Sequence, residues 1–226
     1  MTSQATAGGR PGTRKRTVYS LPALAGIGYA GAWIISQAVV APSPSVAASG
    51  SQVVAAFAGH AWSEMVMFVF AEGVAAVALA VVVLLAARAA RAQGAPRAGL
   101  TAAVFGVTAA VVSWAELAMG VWLQFGPVAA GQAGTAGELY HALNRIDGAK
   151  MFVLAVMTAA LAAVSVRSGA LPRWLAPLGL LAAVALVISG LSYVLLAAGL
   201  AASVYVSGTL LVIVVAATGV TLRVSP

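Results

Sequence analysis

The chain has 226 residues, of which 62% are hydrophobic and 8% charged, with a net charge of +7 and no cysteine. Soluble domains carry roughly a quarter charged residues, so this composition excludes a soluble fold and points to an integral membrane protein with one helical domain. Without cysteine there are no disulfides or thiolate metal sites, and the basic residues sit at the ends of apolar runs rather than on an aromatic-interleaved face, which argues against nucleic acid as a partner.

In chain order, residues 1–20 are rich in Gly, Ser and Thr, carry Arg10, Arg14, Lys15 and Arg16, and show no apolar period. They read as a disordered basic cytoplasmic tail. A cleaved signal peptide is the weaker alternative, because the apolar stretch from Leu21 to Ala41 is too long for a signal core. Runs of spanning length, about 20 residues, fall near 21–41, 62–87, 99–124, 142–166, 174–197 and 201–222. The expected fold is all-α: a polytopic bundle of six transmembrane helices over residues 21–222, with a short tail at 223–226. Ser51 to Gly59 is amphipathic and reads as an interfacial helix or a lead-in turn.

Orientation follows from the basic residues between the runs. The N-terminal tail, the second connection (Arg88, Arg91, Arg97), the fourth (Arg167, Arg173) and the C-terminus (Arg223) carry them, and the first, third and fifth connections carry none. Both termini are therefore expected in the cytoplasm, with the protein multi-pass in the cell inner (plasma) membrane.

Within this frame the acidic residues are the informative ones. A helix rises about 1.5 Å per residue, which places Glu72 roughly 15 Å, Glu116 roughly 12 Å and Glu64 about 3 Å below the outer ends of their helices. Asp147 and Lys150 fall roughly 8 to 12 Å below the start of the fourth run. A charge in mid-membrane costs several kcal/mol unless it meets a partner or water. Glu72 and Glu116 are therefore expected to face the segment "HALNRIDGAK", where Arg145 and Lys150 are the bases at that level, and to form a polar pocket in the outer half of the membrane. Two plainer readings compete. The charges can serve only to fasten three helices together, and Asp147 and Lys150, as i,i+3 neighbours, can neutralise each other.

His60 and Glu64 are one turn apart and read as a solvated interfacial pair. With only His60 and His141, no metal-binding spacing arises, and no metal or other cofactor is expected. Trp62, Trp122 and Tyr140 read as interface anchors, whereas Phe68 and Trp114 lie deeper and are expected to line the pocket. "GIGYAG" (Gly26, Gly28, Gly31) matches a dinucleotide-binding spacing but follows no strand. "SGALPRWLAPLG" is a cytoplasmic turn, and most hydroxyls of the last two runs can bond backbone carbonyls.

The segments "VVAAFAGHAW", "ARAARAQG", "HALNRIDGAK" and "SGALPRWLAPLGLLAAV" resemble a bacterial six-helix membrane family known as domain of unknown function 4386. The resemblance covers nearly all of residues 21–222, implies six spans, and implies no activity. Glu64, Glu72 and Glu116 depart from its ordinary pattern.

The function expected from the residues is that of an intramembrane enzyme acting on a hydrophobic, isoprenoid-like substrate in the manner of a membrane-bound terpene cyclase. Glu72, Glu116 and Asp147 would act as catalytic acids and bases. Glu64, Phe68, Trp114, His141, Asn144, Arg145 and Lys150 would line the substrate site, with aromatic faces stabilising a developing cation. The alternatives are a small-molecule binding or transport protein, and a non-catalytic membrane partner protein. Expected partners are the lipid bilayer, a hydrophobic small molecule and a second copy of the chain in a homodimer.

Overall fold

The computed structural model describes residues 20–39 and 44–223. The expectation for the N-terminal tail lies outside the described residues, apart from Ser20. Seven helices are formed, with no strand among the described residues: α1 (Leu21–Ala38), α2 (Gly50–Phe57), α3 (Ala61–Ala92), α4 (Pro96–Val128), α5 (Ala133–Arg167), α6 (Leu175–Val194) and α7 (Ser203–Thr221). Five of them, α3 to α7, are long and apolar enough to cross a membrane. The expected first span, α1, stops at 18 residues and is diluted by Gly26, Gly28, Gly31, Ser36 and Gln37.

The long helices form a closed ring in which each packs on its sequence neighbour and α7 returns to α1, while α3 lies beside α1. Short α2 lies across the start of α5. Its first turn is fixed by a capping box, in which Ser49 Oγ accepts from the Gln52 amide and Gln52 Oε1 accepts from the Ser49 amide. Such reciprocal caps satisfy backbone donors that the first helical turn leaves free.

Small residues let the ring close. A β-carbon at Gly219 would lie 2.4 Å from the Pro22 carbonyl oxygen and 2.8 Å from Gly26 Cα, so α1 and α7 touch backbone to backbone there. Gly148 and Gly190 form a second close crossing: a β-carbon on either would come within 2.8 to 2.9 Å of the other's carbonyl oxygen. Such approaches suit helix packing in lipid, where close van der Waals contact rather than water expulsion holds helices together.

Arg88, Arg91, Arg97, Arg167, Arg173 and Arg223 are all exposed and lie at one end of the bundle. That end is tied by the Arg223 amide donating to the Ala170 carbonyl and by Gln93 Nε2 donating to the Arg223 carbonyl. At the opposite end, α5 begins nine residues earlier than the fourth apolar run, at Ala133. Its start, "AGTAGELY", looks loop-like by hydropathy, yet Gly137 packs directly on Gly50 of α2 and is held helical by that contact. Lys150 therefore sits midway along a 35-residue helix rather than near its start.

Two helices depart from regular winding. In α3, Val69–Val74 winds as a π-helix, and in α4, Gln124–Val128 does the same around Pro127. A π-turn inserts one residue and rotates everything beyond it, and such turns often accompany functional sites. The first carries Glu72.

Candidate functional site

Lys150 is the centre of the site. Its Nζ donates to Glu72 Oε2 of α3 at 2.8 Å and to Glu116 Oε2 of α4 in a shorter contact, and it forms an ion pair with Asp147 Oδ1 of its own helix at 3.0 Å. An ammonium has three N–H donors; two are matched to glutamates on neighbouring helices, and Asp147 stands beside it as an ion pair. Lys150 is 7% and Glu116 3% exposed, so the pairing is shielded from solvent. Removing Lys150 would leave three carboxylates without a cation in a poorly polarisable medium.

The count of charges is unequal. Three carboxylates face one ammonium, which leaves a formal charge of −2 if all are ionised. The second oxygen of Glu116, Oε1, is buried and has no hydrogen-bond partner among the described residues. The three carboxylates present oxygens within 4.8 Å of one another, a spacing compatible with a shared cation. The cation on that point is the protein's own, Lys150, and a metal ion would have to displace it.

Beside the cluster lies a cavity of about 810 Å³. Glu72, Glu116, Asp147 and Asn144 form its polar end, and Trp33, Phe68, Tyr140, Tyr193 and Tyr205 supply aromatic walls. Phe68 is set by Gly120: any β-carbon there would lie 2.6 Å from the ring, so glycine is what lets the phenyl group lie flat on α4. Tyr140 donates its hydroxyl to the Pro44 carbonyl at 2.7 Å, and Asn144 Nδ2 donates to the Tyr140 carbonyl at 2.9 Å. Both bonds hold the upper cavity wall in place.

Of the residues expected at the site, Glu72, Glu116, Asp147, Lys150, Phe68 and Asn144 come together around this cavity. Four do not. Arg145 is exposed and pairs with no carboxylate among the described residues, because five residues along a helix turn it roughly 140° away from Lys150. Trp114 is 57% exposed; it stands two residues before Glu116, a rotation of roughly 200° to the outer face. His141 lies beside the cavity wall with its Nε2 3.0 Å from the Ala48 carbonyl, where it fastens α5 to the segment before α2.

Glu64 is the fourth, and it is not the solvated interfacial group expected. It is 2% exposed, lines no part of the cavity, and its Oε2 is buried without a partner among the described residues. His60 bonds to it only through the backbone, as the Glu64 amide donates to the His60 carbonyl.

Sequence reasoning missed the contributions of α1 and α7. Trp33 and Gln37, one turn apart, and Tyr205, Thr209 and Ile213, also at turn spacing, line the cavity without carrying a charge. The i,i+4 placement of Trp33 and Gln37 in an otherwise apolar helix was the available signal. No family model, curated protein or solved structure matches this chain.

Proposed function

We propose that the protein is a binding or transport protein for a lipophilic molecule bearing a positive charge, held in the cavity of a six-helix bundle. In this reading α1 completes the six spans, both termini lie on the cytoplasmic side of the inner membrane, and the arginine-bearing end faces the cytoplasm. The observation that carries it is the pairing of a large aromatic-walled cavity with a cluster holding three carboxylates against one ammonium. A cluster that served only to fasten helices would be packed on every side, whereas this one opens on about 810 Å³ of space. Carboxylates supply charge complementarity and aromatic faces add cation–π attraction.

The test is equilibrium binding of dodecylammonium to the purified protein in lipid nanodiscs. Glu116→Gln keeps a hydrogen-bond acceptor for Lys150 and removes one charge, so affinity should fall about tenfold, the scale of one charge-assisted hydrogen bond, while thermal unfolding stays within a few degrees. Unchanged affinity in this variant would contradict the reading.

A second reading, acid-initiated cyclisation or isomerisation of an isoprenoid, is favoured by one specific feature. Glu116 Oε1 is the oxygen of the cluster that is buried and bonded to nothing among the described residues, which is where a proton for an olefin would sit. Chromatography with mass spectrometry on lipid extracts of isoprenoid-producing cells would support it through a product of unchanged mass and new retention time, present with the wild type and absent with Glu116→Gln. Identical extracts would remove it.

A further inference from the structure

We infer that the cavity opens sideways into the lipid between α1 and α7, and that its occupant is a single-chain amphiphile whose ammonium head enters while its hydrocarbon tail stays in the bilayer. This rests on the cation-binding reading above and adds the route and the ligand class.

The distribution of exposure around the cavity carries the inference. Every lining residue supplied by α3, α4, α5 and α6 is buried or half-buried. Among the described residues, exposed lining residues occur on two helices only: Ile34, Gln37 and Ala38 on α1, and Tyr205, Thr209 and Ile213 on α7. The α7 set is spaced by four, so it forms one stripe along the helix. Among the described residues the wall is thus incomplete along a single seam.

That seam is closed at its other end. α1 and α7 meet backbone to backbone at Gly26 and Gly219, about 12 Å along α1 from Ile34 by helical rise. From there toward the cavity the contact loosens: a β-carbon at Gly208 would still stand 3.8 Å from the Trp33 ring. The helices are clasped at the arginine-bearing end and leave a window at the other. Next to the window the exposed residues are apolar, including Ile35 and Val206, as expected of a surface that meets acyl chains.

Polarity runs in one direction through the cavity. The charged groups lie at the inner end, on α3, α4 and α5, while the window is framed by Ile34, Val212 and Ile213 with Thr209 and Gln37 as neutral polar groups. A molecule matching this gradient has a cationic head and an apolar tail, with the head reaching the carboxylates and the tail lying across the seam. A compact hydrophilic cation would leave the apolar half of the cavity without a partner.

The chain's lack of cysteine makes the test direct. Thr209→Cys places one thiol in the window, at a residue whose hydroxyl donates to the Tyr205 carbonyl of its own helix. Val184→Cys places one on the exposed face of α6, away from the seam. Each variant in nanodiscs is labelled with a bimane maleimide, and dodecylammonium binding is followed in lipids with and without a spin-labelled acyl chain. The expected result is that the Thr209 adduct slows association about tenfold while the Val184 adduct does not, and that bound ligand screens the Thr209 bimane from quenching by the acyl label. Association unaffected by the Thr209 adduct, with binding intact, would overturn side entry alone. Failure of the unlabelled protein to bind dodecylammonium at all would overturn both this inference and the reading beneath it.

Discussion

Lys150 answers all three carboxylates, Glu72 and Glu116 by hydrogen bonds and Asp147 as an ion pair, and that fixes what its loss would do. Lys150→Met leaves Glu72, Glu116 and Asp147 crowded together with no cation, and the expected destabilisation is about 3 to 5 kcal/mol, read as a collapse of monodisperse yield and thermal midpoint in fluorescence-detected size exclusion. Combining it with Glu72→Gln and Asp147→Asn should recover most of the loss, because two of the three stranded charges are removed. Glu64 argues the opposite way. Its carboxyl is buried and its Oε2 has no partner among the described residues, and burying a polar group without a hydrogen bond costs about 1 to 3 kcal/mol. Glu64→Met, similar in length, should therefore raise the thermal midpoint. A lowered midpoint would show that Glu64 has a partner that holds it. At this scale the sequence was partly legible: carboxylates in apolar runs must be answered by a cation, which led to Lys150. The direction of each side chain was less so, and Arg145 and Trp114 show why. Depth along a helix does not give azimuth, and both residues share the level of the cluster while facing away from it.

Helices are positioned by their crossings. Gly148 lies between Asp147 and Lys150 in sequence and touches Gly190 backbone to backbone, so the crossing of α5 with α6 and the site are built by neighbouring residues. Gly148→Leu should separate these helices and disrupt the cluster, costing about 1 to 3 kcal/mol from overpacking alone. Gly208→Ala, where a β-carbon meets nothing closer than 3.8 Å, should leave the midpoint within about 0.5 kcal/mol of wild type, as substitutions away from tight contacts do. Unfolding curves of the two variants in one detergent check both. Hydropathy marked all the long helices to within a few residues at most ends, since an apolar run of about 20 residues is a strong signal. It misplaced the start of α5, where glycine and alanine carry little hydropathic weight and a contact with α2 decides the structure. It gave no hint of the π-turn that carries Glu72 in α3, whereas the one in α4 surrounds Pro127.

For the whole molecule, a ring of helices has every described arginine except Arg145 at one end and its charged cluster and cavity toward the other. The asymmetry underlies the proposed orientation, which single cysteines can test. Ala92→Cys, at the arginine-bearing end, should react with an impermeant maleimide only after membranes are opened, and Ala130→Cys, at the far end, should react in intact spheroplasts. The reverse pattern would invert the topology and move the cavity to the cytoplasmic half. The cavity itself was only half legible in the sequence. Its polar end is written in charged residues, whereas its mouth is made of isoleucine, alanine, threonine and tyrosine from α1 and α7, which read alone as ordinary lipid-facing surface.

The central claim is that the carboxylates serve a positive charge on a lipophilic ligand. The most direct measurement compares dodecylammonium with dodecanol, alike in chain length and different in charge, binding to wild-type protein in nanodiscs at equal concentration in the bilayer. The amine should bind at least about tenfold more tightly, and the preference should shrink in Glu116→Gln. Equal affinity for amine and alcohol, or a preference that survives the substitution, would contradict the account.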